Sequence, residues 1–149
     1  MNKIFVIRVY GIIFNDKQEI LLSDECFRNT LMTKFPGGGL EFGEGTLECL
    51  QREALEEFGQ SIVIESHFYT TDFFQKALFY EDAQLISVYY RANFPEPIRF
   101  AISDVPFNFT REEDGNQSFR WKTFRDLEPA DMTFPVDQRV VELLKKTLQ

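Results

Sequence analysis

Apolar positions along the chain change period several times, and the changes mark the elements. Ile4 to Phe14 is apolar and β-branched with Arg8 as its charged interruption, which predicts a strand buried on both faces. Asn15-Asp16-Lys17-Gln18 predicts a turn, and Glu19 to Ser23 the returning strand. Asp24 to Thr33 reads as a polar loop, and Lys34-Phe35 as a short strand leading into a glycine loop. From Thr46 to Phe58 the period becomes helical, with Leu47, Leu50, Ala54 and Phe58 forming one apolar stripe. Beyond Gly59 the period returns to two. Ile62 and Ile64 take one face and Val63 the other between Ser61 and Ser66, and Phe68 to Phe74 extends the apolar run. Gln84 to Phe94 is the next strand, closed by Pro95-Glu96-Pro97. Ile98 to Asp114 shows no clear period, and Arg111 to Asn116 is a charged loop. Phe119 to Phe124 is a strand and Asp126-Leu127-Glu128-Pro129 a turn. A terminal helix runs from Asp137, as N-cap, to Leu148, burying Val140, Val141, Leu143, Leu144 and Leu148. Strands on both sides of a central helix, with a second helix at the end, predict an α/β fold: a mixed sheet covered by helices on two faces. The length of 149 residues fits one domain over 1–149, and no repeat or linker interrupts it.

Composition narrows the setting. With 44% apolar residues the chain can bury a substantial core. No stretch approaches the ~20 apolar residues of a membrane span. The N-terminus is only briefly apolar before Arg8 and shows no small-residue cleavage site, so a signal peptide is not expected. Cys26 and Cys49 are read as reduced thiols of a cytoplasmic protein. A net charge of −8 argues against a binder of nucleic-acid duplexes. It leaves room for a small phosphate ligand, because bound cations bring their own charge. His67 is the single histidine, which argues against a zinc site.

The chemistry concentrates between Gly37 and Gly59. Glu53, Glu56 and Glu57 lie at i, i+3 and i+4 and share a flank of the central helix. Their repulsion costs about 0.2–0.5 kcal/mol per i,i+4 pair. Such a cluster suits a hard cation such as Mg²⁺ or Mn²⁺, which takes oxygen ligands and completes its shell with water and phosphate. Glu44 stands where the glycine loop becomes helix, and Arg52, four residues before Glu56, is placed to orient a carboxylate. Pro36 and the glycines after it disfavour helix and let backbone approach a ligand, while Gly59 suits a left-handed helix end. A dinucleotide fingerprint fails because Phe42 stands where its third glycine belongs, and the Gly-Lys-Ser/Thr of a P-loop is missing. Cys49 has no histidine placed beside it by sequence for nucleophilic catalysis. Phe35, Phe73, Phe74 and Trp121 are candidates to stack a nucleobase among aromatics that mostly build the core. Arg8 is either an arginine reaching out of its sheet or a cation facing substrate.

The spacing of Gly38, Glu44, Arg52-Glu53, Glu56-Glu57 and Gly59 resembles the signature of the Nudix hydrolase family, with all seven fixed positions present. Ala54 and Gln60 stand where that signature has bulky aliphatics, a departure that touches packing rather than chemistry. The resemblance covers most of the chain from Ile4 onward. It implies an α/β/α sandwich and a Mg²⁺- or Mn²⁺-dependent pyrophosphohydrolase acting on a nucleoside diphosphate linked to another moiety. Glu53, Glu56 and Glu57, with Glu44 and Gly38, would hold metal; Arg52 would orient the carboxylates; Arg8, Gly37, Gly38, Gly39 and Glu113 would meet the substrate. Relatives often carry a further acid shortly before a strand tryptophan. Here Asn116-Gln117-Ser118 precede Trp121, which leaves Glu53 or the Glu112-Glu113-Asp114 loop as the base. The alternative is a Nudix-fold nucleotide sensor without hydrolysis, against which the intact glutamate set weighs. The expected partner is a small molecule, with neither nucleic-acid duplex nor membrane, and homodimerisation is left open.

Overall fold

The computed structural model describes residues 2–109 and 115–148. The loop glutamates Glu112 and Glu113 and neighbouring Asp114 lie outside the described residues. The described strands and α-helices are β1 (Ile4–Ile13), β2 (Glu19–Phe27), β3 (Thr30–Lys34), β4 (Gly37–Gly39), α1 (Thr46–Phe58), β5 (Val63–Thr70), β6 (Ala83–Asn93), β7 (Gln117–Thr123) and α2 (Pro135–Thr147), with short 3-10 turns at Phe124–Asp126 and Pro129–Asp131. The fold class is therefore α/β, with the strands shared between a sheet of order β4-β1-β6-β5 and a sheet of order β3-β2-β7. The chain divides into two compact units, Met1–Ile12 with Gly37–Arg99, and Ile13–Pro36 with Phe100–Gln149. Among the described residues no helix is long and apolar enough to cross a membrane.

The first unit carries β1, β4, β5, β6 and α1. β1 is buried only in its second half; Ile4 and Phe5 are exposed, so the expectation of burial on both faces holds from Val9 onward. An apolar run records what a strand can bury, not how far along it other elements reach. The expected glycine loop is in part a strand: Gly37, Gly38 and Gly39 pair antiparallel with Tyr10, Val9 and Arg8. Glycine suits this end strand because the Val9 carbonyl and Tyr10 crowd Gly37 and the Glu53 side chain crowds Gly38. α1 has the expected bounds, and Gly59 ends it in the left-handed conformation at φ 68°. Its buried residues are Cys49, Leu50, Ala54 and Phe58, whereas Leu47, placed in the stripe from spacing alone, is exposed in the first turn. β5 stops at Thr70, short of the expected extension to Phe74, and Thr71 is tied to Ser87 of β6 by backbone and hydroxyl bonds. Gln60, the polar departure from the signature, is buried; its Oε1 accepts from Arg99 N–H at 2.8 Å, anchoring the segment after Pro97.

The second unit corrects the reading of Asp24 to Thr33. That stretch is a hairpin, β2 running to Phe27 and β3 starting at Thr30. Arg28 and Asn29 turn it with φ of 49° and 58°, the two positive values of a type I′ turn. Its polar residues hid it because they are partnered inside. Asp24 is fully buried, bonded to Arg120 Nε at 2.7 Å, to the Thr33 hydroxyl at 2.6 Å and to Phe107 N–H at 3.3 Å. Lys34, also buried, is 3.3 Å from Glu25. Phe35 is wholly buried in the core, so it is not available to stack a base. α2 begins at Pro135, with Phe134 as N-cap, and the expected cap Asp137 lies buried inside the helix. Proline at the first helical position was the missed start signal. Val136, Val140, Val141 and Leu144 form its buried side, while Leu143 and Leu148 are only half-buried.

Arg120→Met leaves the Asp24 carboxylate buried without its cation and is expected to destabilise the protein by about 3–5 kcal/mol. The pair Asp24→Leu with Arg120→Met should recover most of that loss. Urea unfolding at neutral pH measures both, and a single mutant within about 1 kcal/mol of wild type would remove Asp24–Arg120 as an organising contact of this unit.

Candidate active site

The site is built where β4 leaves β1 and the chain enters α1. Leu40 N–H still donates to Ile7 O at 2.9 Å, so the strand register carries one residue past Gly39. The chain then turns through Gly43 at φ 97°, a conformation open to glycine. Gly45 is the N-cap, and its N–H donates to Glu48 Oε1 at 2.8 Å.

Arg52 is the hub of this region. Its Nη2 donates to Glu44 Oε1 at 2.7 Å and its Nε to Glu44 Oε2 at 3.0 Å, a two-pronged pair. Nη1 donates to Glu53 at 2.9 Å and to Glu56 at 3.3 Å. Nη2 also donates to the Gly39 carbonyl at 2.9 Å, which ties the helix to β4. Glu44 accepts a further bond from Glu41 N–H at 2.8 Å. The Arg52 contact first, and that N–H second, hold the Glu44 carboxyl down at about 2. In return Glu44, then Glu53, keep the guanidinium more firmly protonated than usual.

Three glutamates on one helix flank are not equivalent. The Glu53 side chain is 14% exposed and that of Glu56 59%, so Glu53 lies in the medium where a charge counts for more. Glu57 is half-buried with its Oε2 shielded from solvent. Glu53 owes its place to Gly38. A Cβ on Gly38 would fall 2.2 Å from Glu53 Cδ, so a side chain here would push the Glu53 carboxylate out of its place. Here the glycine serves close approach rather than unusual backbone.

Of the sequence-derived candidates, Glu44, Arg52, Glu53, Glu56 and Gly38 come together. Arg8 does not join them. It pairs with Gly39, so strand alternation turns its side chain to the sheet face opposite the one on which Gly38 meets Glu53. There its Nε donates to Tyr10 Oη at 2.6 Å. Gly37 pairs with Tyr10 on that same opposite face, and Glu113 is outside the described residues. Arg52, expected to orient the carboxylates, bonds Glu53 and Glu56 and, closest of all, Glu44, eight residues back, a contact that helix spacing does not reveal. Gly39, a candidate to meet substrate, has its carbonyl on Arg52, a contact that only the strand pairing brings about. Cys49 is buried with its Sγ 3.5 Å from the Gly39 carbonyl. Desolvation, then Glu44, pushes the thiol up to about 12, which removes it as a nucleophile.

A family model described as "NUDIX domain" matches residues 5–144. The chain belongs to the NUDIX domain family. A search of the curated proteins returns no match. Among solved structures it is similar to a NUDIX hydrolase from Nitrosomonas europaea (21% identity, 95% of this chain and 88% of that one, TM-score 0.67). It is also similar to a MutT protein from Methanosarcina mazei Go1 (20% identity, 100% and 99%, TM-score 0.69). A MutT NUDIX hydrolase from Burkholderia pseudomallei aligns at 19% identity over 94% and 98%, with a TM-score of 0.64. These likenesses are of fold. With the family match they make this protein a Nudix hydrolase, an enzyme of a family that generally uses divalent metal ions.

The donor set of this Nudix site suits such an ion. Glu53, Glu56 and Glu57 offer the hard oxygens that Mg²⁺-type cations prefer. Among the described residues no three acidic, histidine or cysteine side chains converge on one point; Arg52 spreads Glu44, Glu53 and Glu56 around its guanidinium instead.

Gly38→Ala is expected to displace the Glu53 carboxylate, the end of a flexible side chain, and so to cost little stability while lowering turnover sharply, as read by urea melts and turnover on the same samples. A fully active Gly38→Ala protein would contradict the close-approach role. A second test follows from Glu44. Because its folded-state carboxyl is lowered from 4.5 to about 2, it contributes stability that is complete above the unfolded value and is lost as pH falls through the folded one. In EDTA, wild type should exceed Glu44→Gln by a constant margin above about pH 5, shrinking between about pH 4.5 and 2. A margin independent of pH across that window would contradict the Arg52–Glu44 account.

Proposed function

We propose that this Nudix hydrolase is a Mg²⁺- or Mn²⁺-dependent pyrophosphohydrolase that cleaves a nucleoside diphosphate linked to another moiety. The observation that carries the reading is the constellation in which Gly38 clears space for a part-buried Glu53 while Arg52 holds Glu44, Glu53 and Glu56 in one network. Glu53, Glu56 and Glu57 would hold the cation, with Glu44 and the Gly38 carbonyl beside them. When bound, the cation neutralises charge developing on the diphosphate oxygens and makes water a better nucleophile. Arg52 fixes the carboxylate orientations, and the Glu44 pair keeps Arg52 itself in place. Glu53, the less exposed of the two carboxylates bonded to Arg52 Nη1, is assigned to take the proton of the attacking water; an acid of the Glu112-Glu113-Asp114 loop is the alternative. Of the β4 glycines, Gly37 and Gly38 are buried and Gly39 is half-buried. A substrate would therefore meet backbone at Gly39, on the face where Arg8 lies. We further propose a single domain over 1–149, because the matched stretch runs through both compact units.

A panel of nucleotide sugars, (d)NTPs, dinucleoside polyphosphates and ADP-ribose tests the reading. At least one should be hydrolysed with Mg²⁺ or Mn²⁺ and spared in excess EDTA; turnover in EDTA, or failure of the whole panel with metal, would overturn it. Glu56→Gln adds a test that does not depend on the substrate. The Arg52–Glu56 pair is exposed, so without metal this variant should match wild type within about 0.5 kcal/mol. Metal should raise the melting point of wild type by mass action and that of Glu56→Gln less. Equal shifts would remove Glu56 from the metal set.

A further inference from the structure

The connection from β5 to β6 carries a knob and a hole of opposite character. Its hairpin, in which Lys76 pairs with Gln84, is closed by Ala77 N–H on Ala83 O at 2.9 Å and Leu85 N–H on Gln75 O at 2.8 Å. Asp82, at φ 51°, accepts through its carbonyl from Ile4 N–H at 3.0 Å, which ties the hairpin to the start of β1. Beside that tie lies a cleft of about 430 Å³, lined among others by Lys3, Phe5, Phe74, Lys76 and Asp82. None of these residues belongs to the glutamate site. The backbone bonds hold the walls of the cleft in place before anything enters it, which lowers the cost of association.

The tip of the hairpin stays out of this cleft. Leu78 is 62% and Tyr80 50% exposed, and neither lines it. Phe5 and Phe74, which do line it, are exposed as well. Large apolar side chains left uncovered together mark a contact with another molecule, and the charges indicate which. Over a chain of net charge −8, two copies repel. The cleft reverses that balance locally, with Lys3 and Lys76 against the single carboxylate of Asp82. The tip has the complementary character, since the exposed Glu81 follows Tyr80. An apolar knob that ends in an acid thus faces an apolar hole edged by lysines. A surface that complements itself is what two-fold association uses, and one hairpin bears both halves, so a single axis beside it makes both exchanges. We propose that the chain forms a homodimer in which the tip of each copy seats in the cleft of the other. Leu78 and Tyr80 then pack on Phe5 and Phe74, and Glu81 meets Lys3 and Lys76. No residue of the glutamate site takes part, so the contact stands whatever the substrate.

Sedimentation velocity of the full chain tests this without reference to hydrolysis. Wild type should show a monomer–dimer equilibrium with Kd below about 10 µM. Tyr80→Ser should weaken it at least about tenfold, because tyrosine is among the residues that dominate such contacts. Lys76→Glu and Glu81→Lys should each weaken it by about as much, since each sets like charges face to face at both exchanges. All three positions are exposed, so a lost dimer does not reflect a lost fold. Mixed in equal amounts, the two charge variants should regain the dimer, because every tip then meets a cleft of opposite sign. A wild type that stays monomeric at about 100 µM, ten times that Kd, overturns the proposal and leaves the cleft to a small molecule or an unrelated protein. A dimer unmoved by all three substitutions overturns it too, because another surface then joins the copies. So does a mixture of the charge variants that stays monomeric.

Discussion

Like charges crowded on a helix flank need a counter-charge, and in this protein Arg52 supplies it. Without Arg52, Glu44, Glu53 and Glu56 would repel one another at the mouth of α1. With it, two glutamates from one side of the helix and one from the preceding loop share a single guanidinium, whose Nη2 also holds the Gly39 carbonyl. The same contact therefore gathers the acids and pins the helix to β4. A lysine would not serve, because the arrangement uses three nitrogens of one planar fork.

That network has a geometric precondition at Gly38. The side chain is absent because Glu53 occupies its space, and Glu53 in turn is shielded enough for its charge to act strongly. Chemistry and packing are here the same constraint. Glu56, outside the shield, is placed to change partners easily, since an exposed pair with Arg52 is worth little. A cation entering this region would compete with Arg52 for carboxylate oxygens, so the arginine keeps the acids arranged while leaving them exchangeable.

Much of the first unit could be read from sequence because its signals are local. The bounds of α1 follow from period and from Gly59, and the glutamate flank follows from helix geometry alone. The hairpin of the second unit could not be read this way. Asp24, Thr33 and Lys34 look like loop residues, yet each is buried and partnered. Arg120, the cation that makes burial of Asp24 tolerable, is 96 positions away in the chain. Gln60 is a packing position as its place in the signature implied, but its buried amide is also an anchor for Arg99 N–H, a partner the sequence does not show.

Sequence by itself determined the family, the helix, the glycine that ends it and the identity of the acids, because each rests on fixed spacing within a few turns of chain. Tertiary structure decided which of those acids are shielded and which open. It also decided that Arg52 answers first to Glu44, that the glycines form a strand, and that Arg8 faces away from Glu53. It decided too that of the stacking candidates Phe35 is wholly buried while Phe74 stands exposed. The physical reason is common to all of these. Spacing along one element sets angles about its own axis, but burial, charge partners and the facing of a strand are set by elements that arrive from elsewhere in the chain.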